Sequence, residues 1–178
     1  ASNMKLALIS NIPMQNLFGI AKKYFSGIPS REVNIPSMPK VFRKPLKNKF
    51  RLLKVKTIKD IRSLEVDFPT IRLNDYQNSK PAGIISSLIG HEGKGSLLSK
   101  LKEEGLVLSL SAGGGSSHPD INSFGISVSL TPKGLENYER ILELIFNYIR
   151  MIRDHGVDEY TFKENQTMAQ INFDWKNP

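Results

Sequence analysis

Three histidines are the residues of this chain best suited to metal or acid–base chemistry. A catalytic zinc site needs two imidazoles on one helical face, which the HExxH and HxxEH patterns provide. His91 precedes Glu92, but Gly95 occupies the fifth position of that pattern, His118 precedes proline, and His155 precedes Gly-Val-Asp-Glu. The sequence therefore predicts no metal site in these residues. Its lack of cysteine also excludes thiolate ligands, disulfides and cysteine nucleophiles.

Two other stretches contain the residue types of known motifs in an unsuitable arrangement. Residues 90–96 are similar to a phosphate-binding loop, but they lack the GxxxxGK[ST] spacing and follow a predicted helix instead of a strand. Residues 116–120 include serine, histidine and aspartate, yet consecutive residues around a proline cannot align as a catalytic triad. We interpret the first stretch as a break between two helices and the second as part of a loop.

Positive charge is concentrated in one segment. The sequence has 25 Lys and Arg against 17 Asp and Glu, a formal net charge of +8. Residues 40–59 hold nine basic and no acidic residues, which leaves 16 basic against 17 acidic residues elsewhere. Single-strand binders interleave such charges with aromatic rings for base stacking, and only Phe42 and Phe50 do so here. We therefore expect a solvated strand face or a chamber wall, and no nucleic-acid partner.

The length and composition predict one folded domain. The chain has 178 residues, and domains usually contain about 100–200 residues. A hydrophobic fraction of 39% is enough for a packed core. No apolar run approaches the roughly 18–20 residues that a membrane-spanning helix requires, so we expect no membrane contact.

Hydrophobic periodicity, prolines and glycines predict the order of the elements. Alternating runs predict strands at residues 4–10, 50–58, 63–68, 106–112 and 123–130. Helical spacing predicts helices at residues 11–25, 81–89, 96–104 and 132–152, and a last helix that Asp158 caps. Residues 26–49 should be an extended basic, proline-containing connection, and a loop with three consecutive glycines should join the last two strands. This order predicts an α+β fold, a two-layer sandwich in which helices pack on one face of a largely antiparallel sheet.

Residues 87–105, which read SLIGHEGKGSLLSKLKEEG, and residues 110–114, which read LSAGG, carry a family resemblance. Asn3-Met-Lys-Leu, Leu130-Thr-x-x-Gly134 and Phe173-x-Trp175 extend it along the chain in the same order. Together they resemble the insulin-degrading enzyme and pitrilysin family of inverted-motif zinc metallopeptidases, in the second domain of the amino-terminal half.

The resemblance implies that residues 1–178 are one non-catalytic domain, an excerpt of a larger peptidase that degrades peptides in an enclosed chamber. Zinc would be bound by an upstream domain with the HxxEH motif, so this chain alone should be inactive and hold no cofactor. The implied partners are peptide substrates and the remaining domains of the parent, and self-association is a further expectation. The expected compartment is the periplasm of a bacterium, with the cytoplasm as the alternative.

The resemblance also implies a substrate exosite made of a glycine loop and an edge strand. An edge strand offers unpaired N–H and C=O groups to an extended peptide, small residues let another backbone approach, and Glu92 could meet a substrate ammonium group. Ala112 and Gly114 differ from the residues of insulin-degrading enzyme at the matching positions. The predicted exosite residues are Ser87, Leu88, Ile89, Gly90, His91, Glu92, Gly93, Leu110, Ser111, Ala112, Gly113 and Gly114.

Two alternative functions remain open from the sequence. The first is a structural or assembly domain of a family member without catalytic activity, and an upstream domain without HxxEH would indicate it. The second is a nucleic-acid binder through residues 40–59, whose affinity should fall steeply with salt.

Overall fold

The structure is a computed structural model that describes residues 4–32, 34, 50–118 and 121–176. Its contacts divide the chain into two units, Ala1–Pro39 and Lys40–Pro178. Most of the predicted connection at residues 26–49 lies outside the described residues, and so do residues 119 and 120 of the predicted loop between the last two strands. The prediction of one domain over residues 1–178 stays a prediction.

The first unit contains helix α1, Met14–Phe25. The helix begins after Pro13, whose φ of −54° suits the start of a helix, and it confirms the predicted helix in this region. The strand predicted at residues 4–10 is wrong, because these residues are exposed and take no regular structure.

The second unit is built on a three-stranded antiparallel sheet with the strand order β1-β3-β2. Strand β1 is Ser63–Pro69, β2 is Val107–His118 and β3 is Ile121–Leu130. Val66 of β1 and Ala112 of β2 both lie opposite Ile126 of the central strand. Among the described strands, β1 and β2 each pair along one edge only.

Five α-helices and one 3₁₀-helix accompany the sheet in the described part of this unit. They are the 3₁₀-helix Leu73–Tyr76, α2 Pro81–Ile89, α3 Leu97–Glu103, α4 Pro132–Glu136, α5 Tyr138–His155 and α6 Glu159–Asp174. Side chains cap three of them, because Ser96, Thr131 and Asp158 accept hydrogen bonds from the first-turn N–H groups of α3, α4 and α6, and the cap by Asp158 confirms the prediction from the sequence. Gly105 and Gly156 follow α3 and α5 with φ values of 70° and 75°.

One face of the sheet carries the core and the other is open. Apolar residues at every second position of the strands pack against α2, α3 and α5. The most deeply buried residues of this core, from the strands and the helices together, include Leu98, Leu101, Ile126, Val128, Ile141 and Ile145. Glu65, Asp67, Ser111, Gly113 and Ser127 lie on the opposite, exposed face. The predicted α+β class is therefore confirmed, with an antiparallel sheet and helices on one face.

Three further local predictions were wrong. Residues 50–58 form no strand, and two of their side chains contact α5: the Phe50 and Phe146 ring centroids are 5.3 Å apart and Lys54 Nζ lies 4.8 Å from the Tyr138 ring. The three consecutive glycines lie within β2 and pair with residues 123–125, because glycine is tolerated where the ladder itself fixes the backbone. The helix predicted at residues 132–152 is broken at Asn137, whose φ of −112° and ψ of 32° are not helical.

Candidate functional site

The predicted glycine loop begins on α2 and leaves the helix at its end. Ser87 is exposed, Leu88 is half-buried, and Ile89 is a core residue with 2% of its surface exposed. The Tyr148 hydroxyl donates to the Leu88 carbonyl oxygen at 3.3 Å, and burial raises the pKa of Tyr148. This bond ties the last turn of α2 to α5, so the start of the loop has a fixed position.

The loop itself turns tightly after Ile89. Gly90 N–H donates to the Ser86 carbonyl oxygen at 2.8 Å, and a Cβ on Gly90 would lie only 2.9 Å from that oxygen. The His91 ring covers Gly93, since a Cβ on Gly93 would lie 2.5 Å from His91 Nε2. His91 and Glu92 are exposed. Glycine at both positions thus allows a compact turn that presents an imidazole and a carboxylate to solvent.

The predicted strand segment lies in β2 and alternates between the two faces of the sheet. Leu110 is buried at 7% exposure and Ala112 is half-buried on the helical side. Ser111 and Gly113 face the open side and are exposed. A Cβ on Gly114 would lie 2.8 Å from the Ala82 Cβ of α2, so α2 packs directly against this strand. Side chains of this segment therefore leave the open face and the strand edge uncrowded.

The structure places α2 and β2 side by side, and it joins Ile89 and Leu110 in one core. It does not link the exposed loop residues to the strand: no described hydrogen bond or ion pair joins His91 or Glu92 to residues 110–114. The side chains of Ile89 and Leu110 are buried. These two residues could therefore contribute only their backbone groups to a binding site. The accessible side chains of the predicted exosite are those of Ser87, His91, Glu92 and Ser111.

The sequence analysis missed a concavity on the open face, beside this strand segment. It has a volume of about 320 Å³ and crosses all three strands. Glu65 and Asp67 of β1 lie at one side, and Ser111, Ala112 and Gly113 of β2 lie at the other. Gly125, Ile126 and Ser127 of β3 lie between them. The alternation of residues 63–68 contained the signal, because it placed Leu64, Val66 and Phe68 on one face and the two carboxylates on the other.

An ion-pair network fixes the helices behind the sheet. Arg140 of α5 contacts Glu104, which follows α3, at 3.2 Å, and it also contacts Glu143 at 2.8 Å. The hydrogen bond from Arg140 is the largest of the effects that lower the pKa of Glu104. Lys100 contacts Glu103 and Glu104, and the hydrogen bond to Glu103 is the main reason that its pKa is raised. These contacts link the end of α3 to α5.

Metal-ligating side chains do not converge in the described residues. Those residues contain no group of three or more His, Asp or Glu placed to hold a metal ion. In the same part of the chain, no helix combines the length and the apolar character needed to cross a bilayer.

Residues 1–168 match the model of the family described as "Peptidase M16 inactive domain". The chain belongs to the peptidase M16 family. It is 36% identical over 178 residues to the insulin-degrading enzyme of Drosophila melanogaster, covering 99% of this chain and 18% of that protein. It is 34% identical over 176 residues to the human insulin-degrading enzyme, covering 98% of this chain and 17% of that protein.

The fold of this M16 domain is similar to that of a solved structure. The crystal structure of pitrilysin matches with a TM-score of 0.72 and 25% sequence identity, over 95% of this chain and 18% of that chain. The resemblance to the insulin-degrading enzyme and pitrilysin family is thus confirmed. The chain spans less than a fifth of the length of each of these relatives.

Proposed function

We propose that this chain is the non-catalytic substrate-clamp and scaffold domain of a zinc metalloendopeptidase. Its membership of a family domain described as inactive, and its small share of the length of peptidase relatives, support this role. The chemistry of the parent would use zinc held by another domain, which supplies a metal-activated water. Within this chain, the described residues only bind and orient the peptide. The periplasmic location of the parent stays a prediction.

The observation that carries the proposal is the free edge of β2. In the described sheet β2 pairs with β3 on one side only, so its other edge offers backbone donors and acceptors. Between Leu110 and Gly114, only Ser111 has a side chain larger than a methyl group that reaches the surface. An extended peptide can therefore approach closely and add a fourth strand.

The glycine loop supplies a polar group near one end of α2. Glu92 is exposed and makes no described ion pair, so its carboxylate is available to a cationic group such as a peptide amino terminus. The Tyr148–Leu88 hydrogen bond fixes the helix end from which this loop departs. Backbone pairing at β2 would give the affinity, and the loop would recognise the end of the peptide.

The experiment is a titration of the isotope-labelled chain with a short extended peptide, followed by NMR. We expect weak binding, because one added strand buries little surface. Amide shift changes should concentrate at residues 110–114 and 87–93. The control peptide carries N-methyl groups at alternate backbone nitrogens, which remove donors for the new ladder. Equal binding of the two peptides, or shift changes confined to other elements, would contradict the clamp.

A second candidate function is an assembly domain, and the exposed aromatic residues of the last helix favour it. Tyr160, Phe162 and Phe173 of α6 and Trp175 after it are between 48% and 83% exposed. Exposed aromatics of this kind indicate contacts with other domains or subunits. A peptide-cleavage assay with added zinc separates the two candidates, by comparing this chain with the chain joined to its native upstream sequence. Activity of the longer protein supports the clamp of a peptidase, whereas upstream sequence without HxxEH supports assembly.

A further inference from the structure

The concavity on the open face has a bare floor because glycines occupy two of its central positions. Asp67 of β1, Gly125 of β3 and Gly113 of β2 lie in one row across the sheet. Glu65, Ser127 and Ser111 form the neighbouring row on the same face. The hollow of about 320 Å³ therefore runs from the β2 side over two glycines to the two carboxylates.

The Asp67 side chain leans from its own strand over the central strand. A Cβ on Gly125 would lie 3.0 Å from Asp67 Oδ1, so the carboxylate occupies the space that a side chain at residue 125 would fill. A peptide strand added beside β2 would lie two strand spacings, about 10 Å, from β3. A long side chain of the peptide, together with one hydrogen bond to the Asp67 carboxylate, covers that distance.

We propose that this hollow is a subsite that accepts a basic side chain, lysine or arginine, of a peptide bound along β2. The proposal rests on the proposed function, since it needs a peptide at the β2 edge. It adds a substrate class, peptides with a cationic residue on the open face. Arginine is the best fit, because its planar group can donate to a carboxylate in two places and has the longer reach.

The charges around the hollow support a cationic occupant. Neither Glu65 nor Asp67 makes an ion pair within the described chain. Ser111 and Ser127 add hydroxyl groups to the lining, and both are exposed. A cationic side chain that extends over Gly113 toward Gly125 would reach the Asp67 carboxylate, with Glu65 in the neighbouring row and no described positive charge in the lining.

The test measures the binding of two labelled peptides that differ only in arginine or its neutral isostere citrulline. We expect the unchanged chain to bind the arginine peptide roughly threefold to tenfold more tightly, the range for two exposed ion pairs, with the difference falling at high salt. The double variant Glu65→Gln/Asp67→Asn should bind both peptides with the affinity of the citrulline peptide. Both residues are exposed, so the sheet should fold normally.

A second pair of variants tests the path across the sheet. Gly113→Val should abolish the arginine preference by filling the hollow, and Gly115→Val should keep it, since residue 115 lies outside the lining. A Cβ on either glycine meets nothing within 4 Å, so both variants should fold. Equal binding of the two peptides to the unchanged chain, or a preference that survives in Glu65→Gln/Asp67→Asn, overturns the subsite and leaves the clamp intact. Binding of neither peptide overturns both.

Discussion

Gly134 of α4 lies directly against the backbone carbonyl group of Leu106, the residue before β2. A side chain at residue 134 would overlap the Leu106 carbonyl oxygen. The neighbouring Thr131 reinforces this contact, because its N–H donates to the same oxygen at 3.0 Å and its hydroxyl donates to the Gly105 carbonyl oxygen at 2.8 Å. The start of β2 and the start of α4 are therefore locked together through backbone atoms.

Gly134→Ala should destabilise the domain, because the added methyl group must push two backbone segments apart. We expect a loss of about 1–3 kcal/mol or more in the free energy of unfolding, the range for overpacking. Gly83→Ala is the matched control, since a methyl group at residue 83 of helix α2 would lie 4.0 Å from its nearest neighbour, the Lys80 Cβ. That control should be neutral or stabilising. Urea denaturation measures the free energy of unfolding of both variants. Equal denaturation midpoints would show that the backbone at this contact can move apart at no cost in stability.

Glu92→Gln should remove a preference for peptides with a free amino terminus. The unchanged chain should bind a free peptide roughly twofold to fivefold more tightly than its acetylated form, as expected of one exposed ion pair. The variant should bind both alike. His91→Gln provides a control on the same turn. Fluorescence anisotropy with labelled peptides gives the ratio, and a ratio that persists in Glu92→Gln would assign the amino terminus to another group.

Asp158 should make the start of α6 sensitive to acid. Thr161 N–H donates to Asp158 Oδ1 at 2.7 Å, and this bond is the main reason that the pKa of Asp158 lies below its ordinary value of 3.8. A lowered pKa in the folded chain means that the carboxylate stabilises the helix above pH 3.8 and loses this effect as the pH falls through the lowered value.

Asp158→Asn should keep the cap and abolish its pH dependence, because an amide oxygen can accept the same bond without titrating. Asp158→Ala should fray the first turn of α6 at every pH. The pH dependence of the cap is measured by NMR, from the amide chemical shift and the hydrogen-exchange rate of Thr161 between pH 6 and acidic pH. An identical acid response in the unchanged chain and in Asp158→Asn would assign it to other carboxylates.

Tyr148→Phe should loosen the end of α2. The lost hydrogen bond to the Leu88 carbonyl oxygen should cost about 1 kcal/mol of unfolding free energy. Tyr138→Phe is the control, since that hydroxyl contacts only the carboxylate of the adjacent, exposed Glu139 among described partners. Amide exchange at residues 88–93 should rise in Tyr148→Phe alone. Unchanged exchange there would mean that the loop does not depend on this bond.

Local chemistry made much of the fold predictable from the sequence. The predicted helix start at residue 132, the predicted helix end at residue 104 and the Asp158 cap lie at or next to helix boundaries of the structure, because Thr131, Gly105 and Asp158 act through neighbouring backbone groups. Local chemistry could not show whether the segments at residues 4–10 and 50–58, which were predicted as strands, would form strands. Their alternation fits a strand, but a strand forms only where a partner edge is within reach.

The candidate site shows the same division. The assignment of residues 87–93 and 110–114 to a substrate site stays a prediction from the sequence, and the structure shows that α2, where the first segment begins, packs against β2. The hollow was not recognised, since it depends on the register that aligns Asp67, Gly125 and Gly113 across three strands. Sequence periodicity shows which face a residue occupies and gives no information about which residues of other strands stand beside it.

The glycines of β2 have a consequence for which polypeptides the proposed clamp can process. Residues 113–115 have no side chains that could contact individual residues of a peptide, so at these positions the strand edge selects for an extended conformation. Only a segment that can become extended satisfies the backbone ladder, whereas a stable helix or tight turn presents its hydrogen-bonding groups in other directions. Such a clamp would sort polypeptides by how readily they unfold, and a compact protein would escape it until part of its chain came loose.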